Sequence, residues 1–556
     1  MRCQLRLTSP LPLQTLQPAA RYFPRRLFAV AMSVSVSATS SSASLTAYNN
    51  LKALLREANA LSEVEGILSY DEQCFMPPGA AAARAQQKAA LAKVLHRART
   101  GDEMREAINS ARACADELVD PKMKANVRDA IQDFDKASRK SAEIAEAEAR
   151  LESEAFAAWK EARDSSDFSL FADKLSALFQ LKKQVAALTR PAAVEPYDGA
   201  LDAFERGMTA QRLDEIFAEL RTGLLPLLEA ILEKKRAHPN IDIPHPALAS
   251  GPQWTVSEQA TLSKEVAAAL GYSFDKGRFD VSTHPFTGGA GPTDVRVTSR
   301  FSENWVEGFG ATIHETGHAL YEQGRDVSEE ARGLPVSQPL SMGVHESQSL
   351  LWERMVLQSR PFWEWATPLF HDRFPFTKDA TPDDFYRMYN RVEPGFIRVD
   401  ADEVTYPLHV IMRYDIERAL FGGEMAVEEV PRVWNERMLR DLGLQVTDDA
   451  QGCLQDIHWS FGAIGYFPSY TLGAIMATQI YNAAERQLGK EVLEQSIREG
   501  KFSLLREWLA EKVHKVGSLY PSPDELLVSV GGEKISPQPF LAYLRKKYSA
   551  LYELDK

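Results

Sequence analysis

Cysteine is scarce: the 556-residue chain has four, Cys3, Cys74, Cys114 and Cys453, far apart and without a C-x-x-C pair. A disulfide framework and a cysteine-ligated metal are therefore excluded as organising features. No apolar run reaches the length of a transmembrane helix, so no membrane is expected as a partner. Long basic runs are missing too, and the net charge is −13, which argues against nucleic acid. What remains is an ordinary globular composition, 44% hydrophobic and 25% charged, with ample apolar material for a core. The length admits one large domain or two or three smaller ones.

Acidic residues are absent before Glu57, whereas Arg2, Arg6, Arg21, Arg25 and Arg26 supply positive charge and Ser and Thr crowd positions 33–44. An acid-free, arginine-bearing, serine-rich start has the composition of an organelle transit peptide. The expected division is a leader or disordered tail over 1–44 and a single domain over 45–556. Serine richness points to the plastid, with the mitochondrion as the alternative, and the cytoplasm for a form started at Met32.

From about Leu45 to Arg236 the pattern is helical. Leu51, Leu54, Leu55, Ala58, Leu61, Val64 and Leu68 form one apolar stripe, broken by Met76-Pro77-Pro78-Gly79. Alanine-rich charged helices are expected over 80–187 and 210–236. Prolines then punctuate a loop region, and two extended runs follow, Phe279–Ser282 and Asp294–Arg300. In the second, alternation places Val295 and Val297 on one face and Arg296 on the other. A strand so close to the next motif is well placed to pair with a bound peptide. The tail, 474–556, reads as plain amphipathic helices.

That motif is His314-Glu315-Thr316-Gly317-His318, an H-E-x-x-H sequence flanked by Trp305, Val306, Phe309, Ile313, Leu320 and Tyr321 at helical spacing, with Gly324 as a stop. Two histidines one helical turn apart can close on one cation, and neutral imidazole suits zinc. Glu315 is turned to the same side, where it can take a proton from water. No third histidine follows at x-x-G-x-x-H spacing. Glu346, 28 residues after His318 on a second predicted helix, is the expected third ligand, the alternative being a surface charge, since Glu353 sits on the same helix. His345 beside it is expected near the metal or the substrate rather than as a fourth ligand, which would fill the open position.

Two further stretches carry polar chemistry. Arg398, Asp402, Thr405 and His409 are spaced by four, three and four, one stripe of an expected helix that Pro407 should kink. On pattern alone such a stripe is either a solvated face or a polar wall of a cleft, and solvation is the ordinary explanation. The other runs from Gly452 to Tyr470 and holds His458, Tyr466 and Tyr470, any of which can donate to an oxyanion, although aromatics here serve equally as core filling. His284, in His284-Pro285-Phe286, is weak evidence alone.

Taken together, these motifs resemble the thermostable (Taq-type) carboxypeptidase family of metallocarboxypeptidases. Its set, in order, is HPF, D-x-R-x-T, H-E-x-x-H, H-E-S/G-Q, I-R-x-x-A-D and G-x-x-Q-D-x-H-W. The chain matches at His284–Phe286, Asp294–Thr298, His314–His318, His345–Gln348, Ile397–Asp402 and Gly452–Trp459, and the likeness spans roughly 47–556. The resemblance implies a mainly α, large helical fold split by a deep groove, with a small antiparallel sheet beside the metal, similar to neurolysin and angiotensin-converting enzyme, and often a homodimer. It implies removal of single C-terminal residues from peptides, poorly at proline, with one zinc per subunit that cobalt can replace.

The expected roles follow. His314, His318 and Glu346 hold zinc, Glu315 is the general base, and His458, Tyr466 or Tyr470 stabilises the oxyanion. An exopeptidase needs a cation for the free carboxylate, and bidentate arginine suits it. Arg398, oriented by Asp402, is the first choice and Arg296 the second. His284, His345 and His409 complete the expected substrate-facing set. The alternatives are a zinc endopeptidase or oligopeptidase on the same site, or an inactive helical scaffold.

Overall fold

The computed structural model describes residues 40–554. Its first helix, Ser42–Cys74, starts three residues before the boundary expected from composition. Ser41 is the reason: its hydroxyl accepts from the Ser44 N–H at 3.1 Å and caps the helix. The end of the serine-rich tract thus belongs to the fold, and the rest of the expected leader, 1–39, lies outside the described residues. Phe75 ends the helix, and Pro77 and Pro78 cannot continue it.

The alanine-rich helices follow as expected: Ala81–Thr100, Asp102–Ala113, Pro121–Arg139, Ala142–Ser165, Ser169–Thr189 and Ala210–Ala237. Tyr48 and Leu51 of the first helix join Met104, Ile108, Val127 and Phe134 in a satellite core. The main core gathers nearly everything from Trp159 to Tyr552. Val256–Leu270, expected as loop, is a helix, so the prolines before it mark only its approach. Pro468–Leu488 overturns the plain amphipathic tail. It is buried on nearly every side, with Leu472, Ala474, Ile475, Ala477 and Ile480 inaccessible or nearly so. A helix apolar all round belongs inside a large protein. Among the described residues no helix is long and apolar enough to cross a membrane.

Three short strands form the sheet: β1 (Gly277–Val281), β2 (Thr287–Gly289) and β3 (Val295–Ser299), in the order β1-β3-β2. β2 pairs antiparallel with β3 but β1 pairs parallel, so the sheet is mixed rather than antiparallel. The chain reverses twice, after β1 and after β2, and β3 enters between them in β1's direction. β2 escaped sequence analysis because Thr287-Gly288-Gly289 carries turn residues and no alternation. Val295 and Val297 are buried on one face as expected. Tyr70 fastens the first helix to the sheet by donating to Asp280 Oδ2 at 2.7 Å.

Candidate active site

The H-E-x-x-H motif lies on one helix, Trp305–Gly324, ending at the expected glycine. Glu346 comes from a second, Met342–Leu350, capped by Ser341. Both must come very close, and glycine permits it. A Cβ on Gly317 would stand 2.7 Å from Ser349 Cα, and one on Gly473, in the buried Pro468–Leu488 helix, 2.6 Å from Glu346 Cγ. Glu346 is thus wedged between two helices and aimed at the histidines. Its Oε2 lies 3.8 Å from His314 Nε2 and 3.4 Å from His318 Nε2.

The His318 separation falls within the spacing a small divalent ion requires, and the His314 separation lies slightly beyond it. Tetrahedral bonds of about 2.0–2.2 Å put ligand atoms roughly 3.3–3.6 Å apart. The charge fits as well. Burial opposes a protonated imidazole, but Glu346, Glu353 and Glu315 outweigh it and push His314 up to about 10. Burial would raise Glu346, yet His314, His318 and Arg354 hold it at about 2. A cluster this acidic calls for positive charge, from a proton or a dication.

No local sequence pattern marks what orients the candidate ligands. Glu353, which the sequence marks only as a second charge near Glu346, accepts from His314 Nδ1 at 2.6 Å. A carboxylate only accepts, so the proton sits on Nδ1 and Nε2 faces the ion position. After Leu350 the helix widens into a π-turn over Leu351–Leu357, which carries Glu353. On the other side, the His345 ring stacks on His318 at 4.4 Å between centroids, and its Nε2 meets Glu322 Oε1 at 3.0 Å. Arg325 and His345 hold Glu322 at about 2 against its burial. His345 therefore backs His318.

Glu315 is buried, and Thr287 of β2 donates to its Oε2 at 2.7 Å and its carbonyl at 2.9 Å. The unrecognised strand is the one that touches the candidate base. β3 is the central strand, paired on both sides, so it cannot add to a peptide as expected.

The Arg398 stripe differs most from expectation. Residues 397–405 are not helical beyond a single turn, Arg398–Asp400, and the helix runs Tyr406–Gly422. Pro407 sits in its first turn, where the missing N–H does no harm, and kinks nothing. Asp402 does not orient Arg398: it accepts from the N–H groups of Glu393, Val404 and Thr405 and from the Thr405 hydroxyl. Nor is the stripe solvated, since Arg398, Thr405 and His409 are buried. Burial, with Arg413 beside it, pushes His409 down to about 3.

Arg398 is held instead by Asp456. Its Nε and Nη2 donate to Asp456 Oδ1 at 3.0 and 2.8 Å, and its Nη1 to the Tyr406 hydroxyl at 3.1 Å. Arg413, fully buried, donates to the other oxygen of Asp456 at 2.6 Å. Burial would raise Asp456, but the two guanidiniums hold it far below the usual carboxylate range. Tyr470 lies under the Arg398 guanidinium at 4.6 Å, and its hydroxyl is 2.9 Å from His458 Nε2. Burial drives His458 down to about 3, so the ring is neutral at neutral pH. Tyr466 packs edge-on against Tyr470, and both hydroxyls feel the charge of Glu346.

Arg296 is committed elsewhere. It forks Asp294 at 2.8 and 2.7 Å and lies over the Tyr70 ring. His284 is an exposed side chain on the loop from β1 to β2. Arg413 and Asp456 were missed as members of the wall. The signal was available only for Asp456, inside a motif read for its histidine.

A model of the carboxypeptidase Taq (M32) metallopeptidase family matches residues 50–548. Thermostable carboxypeptidase 1 of Thermus thermophilus is 39% identical, over 91% of this chain and 99% of that protein. Carboxypeptidase 1 of Bacillus subtilis is 36% identical, over 90% and 98%. Among solved structures, the M32 carboxypeptidase of Deinococcus radiodurans superposes with a TM-score of 0.86 at 35% identity, covering 91% of this chain and all of that one.

Proposed function

From its membership of the carboxypeptidase Taq (M32) metallopeptidase family, which makes this chain a metallocarboxypeptidase acting on peptides, we propose how its residues divide the work. His314, His318 and Glu346 hold the divalent metal, and the two-imidazole, one-carboxylate set favours zinc, with cobalt as a substitute. When bound, the metal polarises the scissile carbonyl and makes water a nucleophile near neutral pH. Glu315, steadied by Thr287, accepts the water proton and delivers it to the leaving amine. Tyr466 and Tyr470 are the hydroxyl donors for the oxyanion, with His458 fixing Tyr470.

Exopeptidase action rests on one observation: a buried guanidinium with donors to spare stands beside these tyrosines. The two terminal nitrogens of Arg398 each make one hydrogen bond to the protein and have a second N–H to offer a carboxylate. Arg296 offers less, its fork being filled by Asp294. The test is to digest paired peptides, free and amidated at the C-terminus, and follow the products by mass spectrometry. Free peptides should shorten one residue at a time while amidated ones persist. Internal cuts in both would point to the endopeptidase alternative.

The acid-free, serine-rich start supports delivery to the plastid. Residues 1–60 fused to a fluorescent reporter should carry it there. A reporter spread through the cytosol would remove that address.

A further inference from the structure

We propose that Glu417 is a positioning residue for the catalytic wall, one carboxylate that grips the chain beside both His458 and Tyr466. Glu417 lies on the Tyr406–Gly422 helix and is fully buried. Its Oε1 accepts from Trp459 Nε1 at 2.7 Å. Its Oε2 accepts from the Gly465 N–H at 2.8 Å and from the Tyr197 hydroxyl at 2.7 Å. Trp459 follows His458 and Gly465 precedes Tyr466, so the two ends of the turn bearing these side chains close on one group. Tyr197, from the helix Pro196–Leu201, supplies the third point that fixes the carboxylate itself.

The arrangement has an asymmetric weak point. Three donors converge on two oxygens, so an isosteric amide cannot satisfy all of them. In Glu417→Gln the amide oxygen takes the Oε2 place, where two donors meet it, and the NH₂ group faces the Trp459 N–H. The Gly465 end stays tied and the His458 end is released. Tyr470, which leans on His458, loses its fixed orientation, and a donor that acts on the transition state is displaced.

This rests on the reading that the tyrosines serve the reaction, so the experiment separates the two. Steady-state kinetics on a free-carboxylate peptide, metal content and thermal melting are measured for Glu417→Gln, Trp459→Phe, the double variant and Tyr470→Phe. The expected result is a fall in kcat of about 10- to 100-fold in Glu417→Gln, the range of one lost oxyanion donor or less, with KM within about threefold and full metal. Trp459→Phe should lose kcat in the same sense but less. The double variant should be no slower than Glu417→Gln, because the bond removed is already gone. Losses that multiply in the double variant overturn the proposal, as does full kcat in Glu417→Gln beside a slow Tyr470→Phe. A Tyr470→Phe enzyme as fast as wild type overturns the reading of the wall and the proposal with it. Should Glu417→Gln fail to fold, unchanged kcat in Trp459→Phe alone refutes the anchoring.

Discussion

His314 and His318 stand one turn apart on one helix, whereas Arg398, Arg413, Asp456 and Tyr470 meet from four separate segments. The metal half is local: one helix carries both histidines and the glutamate proposed as ligands and base, and only Glu346 must arrive from elsewhere. The wall is assembled by tertiary contacts around one carboxylate, Asp456, shared by two guanidiniums. Local geometry tolerates error in the rest of the fold. A wall of converging segments fails when any one shifts, which is why so many of its members are buried and paired.

The comparison predicts distinct failures, the largest on the metal side. Glu315→Gln should keep the metal and lose ~10²–10⁴-fold in kcat, the usual share of a general base. His318→Ala should lose metal and activity together. Metal analysis beside kinetics checks both, and substantial turnover in Glu315→Gln would falsify its role as the base.

On the wall, Arg398→Ala should reduce kcat/KM for free-carboxylate peptides by about a hundredfold or more, since breaking a buried pair costs roughly 3–5 kcal/mol. Metal content should hold, and amidated peptides should change little. Arg296→Ala, whose guanidinium serves Asp294, should be milder. If Arg296→Ala proves the worse and carboxylate-specific, the two arginines exchange roles.

An intermediate effect belongs to the carboxylate that steers a ligand. Glu353→Gln removes the acceptor that fixes His314 and should weaken metal binding by ~10–100-fold, the usual effect of such partners. Competition with a chelator of known affinity measures it, and an unchanged dissociation constant would leave Glu353 with packing alone.

The smallest effect is on stability. Glu205 is buried at the start of the helix bearing Glu346 and bonds the Gly343 N–H. Burial pushes it from the ordinary 4.5 up to about 7. The folded chain therefore holds a proton that the unfolded chain releases, and this group's contribution falls as pH rises from about 4.5 to 7. Glu205→Gln, neutral at every pH, should match wild type near pH 4.5 and melt a few degrees higher at pH 8. A lower melting point at pH 8 would mean the ionised carboxylate is needed.

Sequence alone determined the helical class, the motif helix with its stop at Gly324, the position of Glu346 on a following helix, and the membership that the motif set implied. Each rests on periodicity or short spacing, which the α-helix converts directly into shared faces. It erred where that conversion was assumed without a helix. The four-three-four spacing from Arg398 to His409 placed Asp402 beside Arg398, but the chain there is one turn and a loop, and Asp402 turns back to cap it. Only the tertiary structure decided that Asp456 holds Arg398, that Thr287 of an unrecognised strand steadies Glu315, and that Glu353 is a half-buried partner of His314. These contacts join residues 28 to 58 positions apart, and no local pattern marks them. Burial makes them obligatory, because a charge withdrawn from water must find its partner wherever the fold brings one.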